Sequence, residues 1–304
     1  MRHAYLIIAH AGWEQLKILL KLLDYENNDI YIHIDKKAKN VPISDLKSAA
    51  TKSNIEIYCE YKVYWGSFEL VQTELLLFQK ARERCYDYYH LISGTDMPIK
   101  SQEHINRFFE EHKGLEFVHF DTEERLKIDH EIGRRTHLYH FLQNYRRRYK
   151  IQFFNSVFTF LERVLLLVQM AIGVDRLKKY PEFVIKYGSQ WVSITGDLVS
   201  YILSQQEMIY RIFKYTNCAD ELFIQSIVYN SNFKERLYDK NYDDNMHGNM
   251  RLIDMKRRGH SGNPYTWENG DWPEIRNSDC LFARKFSMSV DEQIINQVCR
   301  YVST

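Results

Sequence analysis

With 304 residues, 45% hydrophobic and 27% charged, and only 5 Pro and 12 Gly, the chain has the balance of a folded α/β-sized protein and excludes a disordered or fibrous one. Its 41 basic and 40 acidic side chains leave a formal charge of +1, so no global field recruits nucleic acid, and no nucleic-acid partner is expected. The 5 cysteines are odd in number and lack C-x-x-C or Cys/His ligand spacing, which excludes a disulfide scaffold and a structural zinc and points to a reducing, cytoplasmic setting.

Taken in chain order, residues 5–9 are a continuous apolar run ending at His10, too short for the core of a signal peptide and suited to a buried strand. Helical spacing follows over 12–23, a strand at 30–34, a helix over 44–50, a strand at 55–58, a long helix over 67–84 with Ser67 as its N-cap, and a strand at 88–92. This βαβαβαβ order predicts right-handed crossovers and a mostly parallel sheet whose ligands lie beyond the carboxyl ends of the strands. Those ends carry His10, Asp35, Trp65 and the Ser93-Gly94-Thr95-Asp96 turn. Further strands are expected at 117–120 and 191–195, and helices at 198–204 and 222–229.

One stretch departs from this rhythm. Arg134, Arg135, Arg146, Arg147, Arg148 and Lys150 precede an apolar segment at 153–174, and Arg176, Lys178 and Lys179 follow it. Its most hydrophobic run covers 164–174, about half of the ~20 residues a membrane-crossing helix needs, so no crossing is expected. Two readings stand: a helical pair packed on the domain with a solvated basic face, or a peripheral element over 146–179 that contacts anionic membrane from the cytoplasmic side.

Nucleotide signatures are informative by their absence. His10-Ala11-Gly12-Trp13 replaces a G-x-G-x-x-G after the first strand, and neither a P-loop nor a G-x-S-x-G elbow occurs. No D-x-D is present to hold a divalent ion against a diphosphate, and Asp96 stands alone at the expected turn. No metal or other cofactor is therefore expected, and any departing diphosphate is left to side-chain cations.

The segments YIHIDKK at 31–37, VYWGS at 63–67, YHLISGTDMPIK at 89–100, GSQW at 188–191, Asp220-Glu221 and LFARKF at 281–286 resemble the core-2/I-branching enzyme family, in that family's order and over nearly the whole chain. The resemblance implies one α/β domain of GT-A type over 1–304: a nucleotide-binding half at 1–130, a helical insertion at 134–180, and an acceptor and diphosphate-binding half at 181–304. It implies a UDP-sugar donor, inversion at the anomeric carbon without a metal, and a saccharide or lipid-linked saccharide acceptor. The family contains both N-acetylglucosaminyl and xylosyl transfer.

Carried onto this sequence, the resemblance makes Glu221 the catalytic base, against the plainer reading of a solvated carboxylate at a helix N-terminus. It makes Lys285 a diphosphate ligand and Arg251 its partner, with Arg257 or Arg284 as substitutes and Lys256 and Arg258 nearby. His10 and Asp35 fall at the uridine end, or else cap the elements that follow them. Trp65 walls the donor pocket, Asp96 faces the donor sugar or its diphosphate, and Trp191 is an acceptor platform or a core residue; Tyr187 and Gln190, in the same loop, are not ranked. The competing expectation is a catalytically inactive saccharide- or nucleotide-sugar-binding protein on the same fold.

Overall fold

The computed structural model describes residues 1–128, 130–243, 246–257 and 263–303; Arg258 lies outside the described residues. The first half runs β1 (His3–Ala9), α1 (Trp13–Leu23), β2 (Asn28–Ile34), α2 (Ile43–Lys47), β3 (Asn54–Tyr58), α3 (Glu69–Arg82), β4 (Tyr88–Ser93), β5 (Met97–Pro98) and α4 (Gln102–Glu111). There follow α5 (Glu123–Ile128), α6 (His130–His137) and α7 (Gln152–Ala171). The remainder is β6 (Ser193–Thr195), α8 (Gly196–Ser204), α9 (Gln206–Phe213), α10 (Phe223–Tyr229), β7 (Arg251–Ile253), α11 (Trp272–Asn277), β8 (Phe282–Arg284) and α12 (Glu292–Val302).

The main sheet has the order β3-β2-β1-β4-β6, parallel except for β6, which runs antiparallel to β4 with Tyr88 opposite Thr195. Its central strands are apolar without alternation because helices cover both faces. From β1, Ala4 and Leu6 enter the core beneath α3, α8 and α10, while Tyr5, Ile7 and Ala9 enter the one beneath α1 and α4. A second sheet, β5-β8-β7, joins Met97 and Ile99 to Trp267, Phe286 and the buried face of α12. The result is α/β, a mostly parallel sheet flanked by helices.

Three expectations change. Residues 117–120 form no continuous strand: Phe117 pairs with Ser193 and Phe120 with Gly188, so their hydrogen bonds are divided between two segments. Ser67 does not cap the long helix, which begins at Glu69; its buried hydroxyl instead accepts from the Tyr64 N–H at 3.3 Å and closes the 64–67 turn. The apolar run after 150 belongs to the 20-residue α7, long and apolar enough to cross a membrane by length and composition.

α7 is inverted relative to an ordinary surface helix. Its buried side chains are Glu162 and Gln169. The Glu162 carboxylate takes the Leu142 N–H at 3.0 Å and faces His140 Nδ1 at 3.1 Å, and Gln169 bonds both backbone groups of Tyr139 at 2.8 and 3.0 Å. Apolar side chains, among them Phe153, Phe160 and Leu167, point outward at 68%, 65% and 63% exposure.

Candidate active site

The sheet's carboxyl edge opens with His10, which is exposed, and with Gly12, whose φ of +73° lets the chain turn into α1. Asp35 is buried, and its carboxylate is occupied locally: Oδ1 accepts the Lys37 N–H at 2.8 Å and Oδ2 pairs with Lys37 Nζ at 3.2 Å. Lys37 also donates to the Val63 carbonyl and lies 4.0 Å from the Tyr64 ring centroid. Asp35 thus fixes the turn after β2 and ties it to the 63–67 loop, nearer the capping reading than the nucleotide one.

Trp65, 53% exposed, carries the Arg147 guanidinium over its ring at 3.9 Å. Gly66 is left-handed (φ +77°), and a Cβ there would sit 2.8 Å from Asn217 Oδ1 and 3.1 Å from Cys218 Sγ. The Cys218 N–H donates to the Gly66 carbonyl at 3.0 Å. The Trp65 loop is therefore packed directly on the turn that presents Glu221.

Glu221 ends a tight turn, Ala219–Glu221, just before α10. Its Oε2 meets Arg135 Nη1 at 3.0 Å, the Tyr187 hydroxyl hydrogen-bonds it, and its side chain retains 33% exposure. Burial raises its pKa, partly offset by Arg135 and Tyr187. Two more carboxylates lie behind it. Asp220 is buried and raised by desolvation and by the Glu221 charge; Glu74, on α3, is wholly buried and raised well above its ordinary value by desolvation and by Asp220. Gln190 donates to Glu74 Oε1 at 2.7 Å, so the structure separates the two loop residues: Tyr187 serves Glu221 and Gln190 serves Glu74.

Gly188 donates its N–H to the Glu221 carbonyl at 3.0 Å, and a Cβ on it would lie 2.0 Å from the His119 carbonyl oxygen. Gly188→Ala must push two backbones apart. It is expected to cost about 3 kcal/mol, read as a Tm lower by roughly 5 °C in a thermal melt.

The cationic end differs from its expectation. Arg251 is buried, its guanidinium donating to Ser193 Oγ and the Val192 carbonyl, each at 2.9 Å, and to the Asn249 carbonyl. It seams β7 to the main sheet rather than facing solvent. Asp96 is likewise turned inward, accepting from Ser93 N–H at 2.8 Å and Ser93 Oγ at 2.9 Å, with Arg284 Nη1 at 3.4 Å. Arg284 lies over the Trp191 ring at 4.3 Å, so Trp191 is a floor for that cation. Arg257 is consumed by Asp254, by Asp271 at 2.6 Å and by Glu274 at 2.8 Å. Lys285 is half-buried, and its ammonium has no hydrogen-bond or ion-pair partner among the described residues, while its backbone is pinned by Tyr265 and Trp267. Among the described residues no group of three or more His, Cys, Asp or Glu side chains has a metal-holding arrangement.

The Core-2/I-Branching enzyme family model matches residues 3–276. A xylosyltransferase of Ciona intestinalis is 22% identical over 98% of this chain and 34% of its own length. The Caenorhabditis briggsae xylosyltransferase sqv-6 is 27% identical over 80% of this chain and 27% of its own. The chain thus spans about a third or less of these curated relatives. Among solved structures, apo mouse xyloside xylosyltransferase 1 aligns at 8% identity and a TM-score of 0.32, over 75% of this chain and 80% of that one.

Proposed function

Because the chain belongs to the core-2/I-branching enzyme family, we propose that it transfers a sugar from a UDP-sugar to a hydroxyl of a saccharide or lipid-linked saccharide, with inversion and without a metal. Xylose is the first donor sugar to test, given the relatives' names, and N-acetylglucosamine the second. The observation that carries this reading is Glu221, a carboxylate with raised pKa held at a partly open site between Arg135 and Tyr187.

In the proposed step the acceptor hydroxyl gives its proton to Glu221 as its oxygen bonds the anomeric carbon. The bond from that carbon to the diphosphate breaks on the opposite face, and the electron pair leaves on UDP. Lys285, with Arg284 beside it, neutralises the charge that grows on the β-phosphate, while Arg251 is engaged with Ser193 and Val192. Asp96 is committed to Ser93 and Arg284, which favours cation-assisted over metal-assisted departure. Calorimetric titration with UDP tests the donor site: Lys285→Ala is expected to weaken binding by at least ~10-fold, as loss of one charged phosphate contact implies, and unchanged affinity removes Lys285 from it.

The pH dependence follows from the same contacts. Transfer needs ionised Glu221, so kcat/KM rises with pH through its pKa. Arg135 stabilises the charged form; Arg135→Gln therefore raises that pKa and is expected to move the acid limb of the profile to higher pH by about 1 unit.

The exposed apolar face of α7, flanked in sequence by Arg146, Arg147, Arg148, Lys150, Lys178 and Lys179, is proposed to dock on an anionic lipid surface from the cytoplasmic side, by charge complementarity.

A further inference from the structure

A cavity of about 640 Å³ opens between the loop before α7 and the first turns of that helix, within the range of ~300–1,000 Å³ typical of ligand pockets. Arg146, Arg147 and Arg163 line it with Asn155, Ser156 and Thr159, and no carboxylate does. Its walls are fixed. Asn155 bonds both backbone groups of Tyr149, at 2.9 and 2.7 Å, which clamps the arginine loop to the helix. Arg146 is anchored on Asn217 and keeps a buried Nε without a hydrogen-bond partner, and Arg147 lies flat on Trp65. Three arginines lining one concavity that no carboxylate lines match a phosphate, to which arginine presents paired N–H donors, and the nearby Glu162 charge acts on Arg146.

The cavity's setting narrows the ligand. Phe160 lines it and also belongs to the outward stripe Phe153, Phe160 and Leu167, so the cavity mouth is continuous with an exposed apolar surface. A soluble anion has no use for that surface, whereas an acyl or isoprenoid chain does. Arg146 and Arg147 connect the opposite wall to the loops that hold Glu221 and Trp65. We propose that this cavity seats the phosphate of a membrane-embedded lipid, its chain along α7 and its head group toward Trp65 and the Glu221 turn. The direction of the head group rests on the transferase reading; the phosphate site does not. A phospholipid head group and the phosphate joining an acceptor saccharide to its lipid share this chemistry.

Vesicle co-sedimentation of the whole chain separates them, using phosphatidylcholine alone, phosphatidylcholine with phosphatidylglycerol, and phosphatidylcholine with a polyprenyl phosphate at matched surface charge. Arg147→Gln/Arg163→Gln is expected to weaken binding to at least one anionic vesicle by ~10-fold or more. Lys178→Gln/Lys179→Gln, which removes equal charge outside the cavity, is expected to lose much less. Ser156→Glu, which places a carboxylate in the cavity and leaves every arginine intact, reproduces the arginine loss and guards against misfolding. Loss confined to polyprenyl phosphate assigns a lipid-linked ligand, and loss confined to phosphatidylglycerol assigns a phospholipid. Equal losses in the arginine and lysine variants overturn the proposal, because diffuse charge then explains binding. UDP titration of the same preparation is independent: failure to bind UDP removes the transferase reading and leaves the vesicle result standing.

Discussion

Glu221→Gln is expected to lower the proposed sugar transfer by at least ~10²-fold, the scale of a lost general base. The substitution keeps the shape of the side chain and an oxygen for Arg135, so the turn on Gly66 and Gly188 is retained and the deficit falls on kcat. Steady-state kinetics beside UDP calorimetry make the distinction. A variant that binds UDP like the wild type and turns over within a few-fold of it places the base elsewhere, with Asp220 the nearest alternative.

Arg251→Ala unfolds the protein more readily rather than merely loosening its grip on nucleotide. The guanidinium joins Ser193 and Val192, at the start of β6, to Asn249, just before β7, and its removal leaves buried acceptors unpaired. Leaving several buried acceptors unpaired costs about 3 kcal/mol or more, a fall in Tm of roughly 5 °C or more for a chain of this size. Arg251→Lys recovers only part of it, because an ammonium cannot make the divergent bonds of the fork. A normal melt with lost UDP affinity is the opposite pattern, and it returns Arg251 to the diphosphate.

The first four strands were legible because parallel strands covered on both faces are continuous apolar runs, as 5–9 and 30–34 are. The second sheet was not, since β5, β7 and β8 have two or three residues each and exist only where distant segments meet. The burial of Arg251 against β6 depends on that second sheet and had no signal in the sequence either. The segment of α7 was legible, but its apolar run read as too short to cross a membrane because Glu162 and Arg163 interrupt it; in the fold Glu162 is the inward residue, and the pattern is reversed.

At the site, Glu221 and Lys285 came from a resemblance carried by short blocks, and composition and spacing alone left both as ordinary surface charges. The pairing of Glu221 with Arg135 spans 86 positions and had no signal in the sequence. Nor did the role of Tyr187, which only the packing of the 187–190 loop separates from Gln190.

In the proposed transfer, side-chain cations rather than a metal release UDP. UDP production from UDP-xylose and UDP-N-acetylglucosamine, measured with and without EDTA, tests it most directly. The predicted result is turnover of one of the two donors at a rate EDTA leaves unchanged. Turnover abolished by EDTA and restored by Mg²⁺ or Mn²⁺ would contradict it.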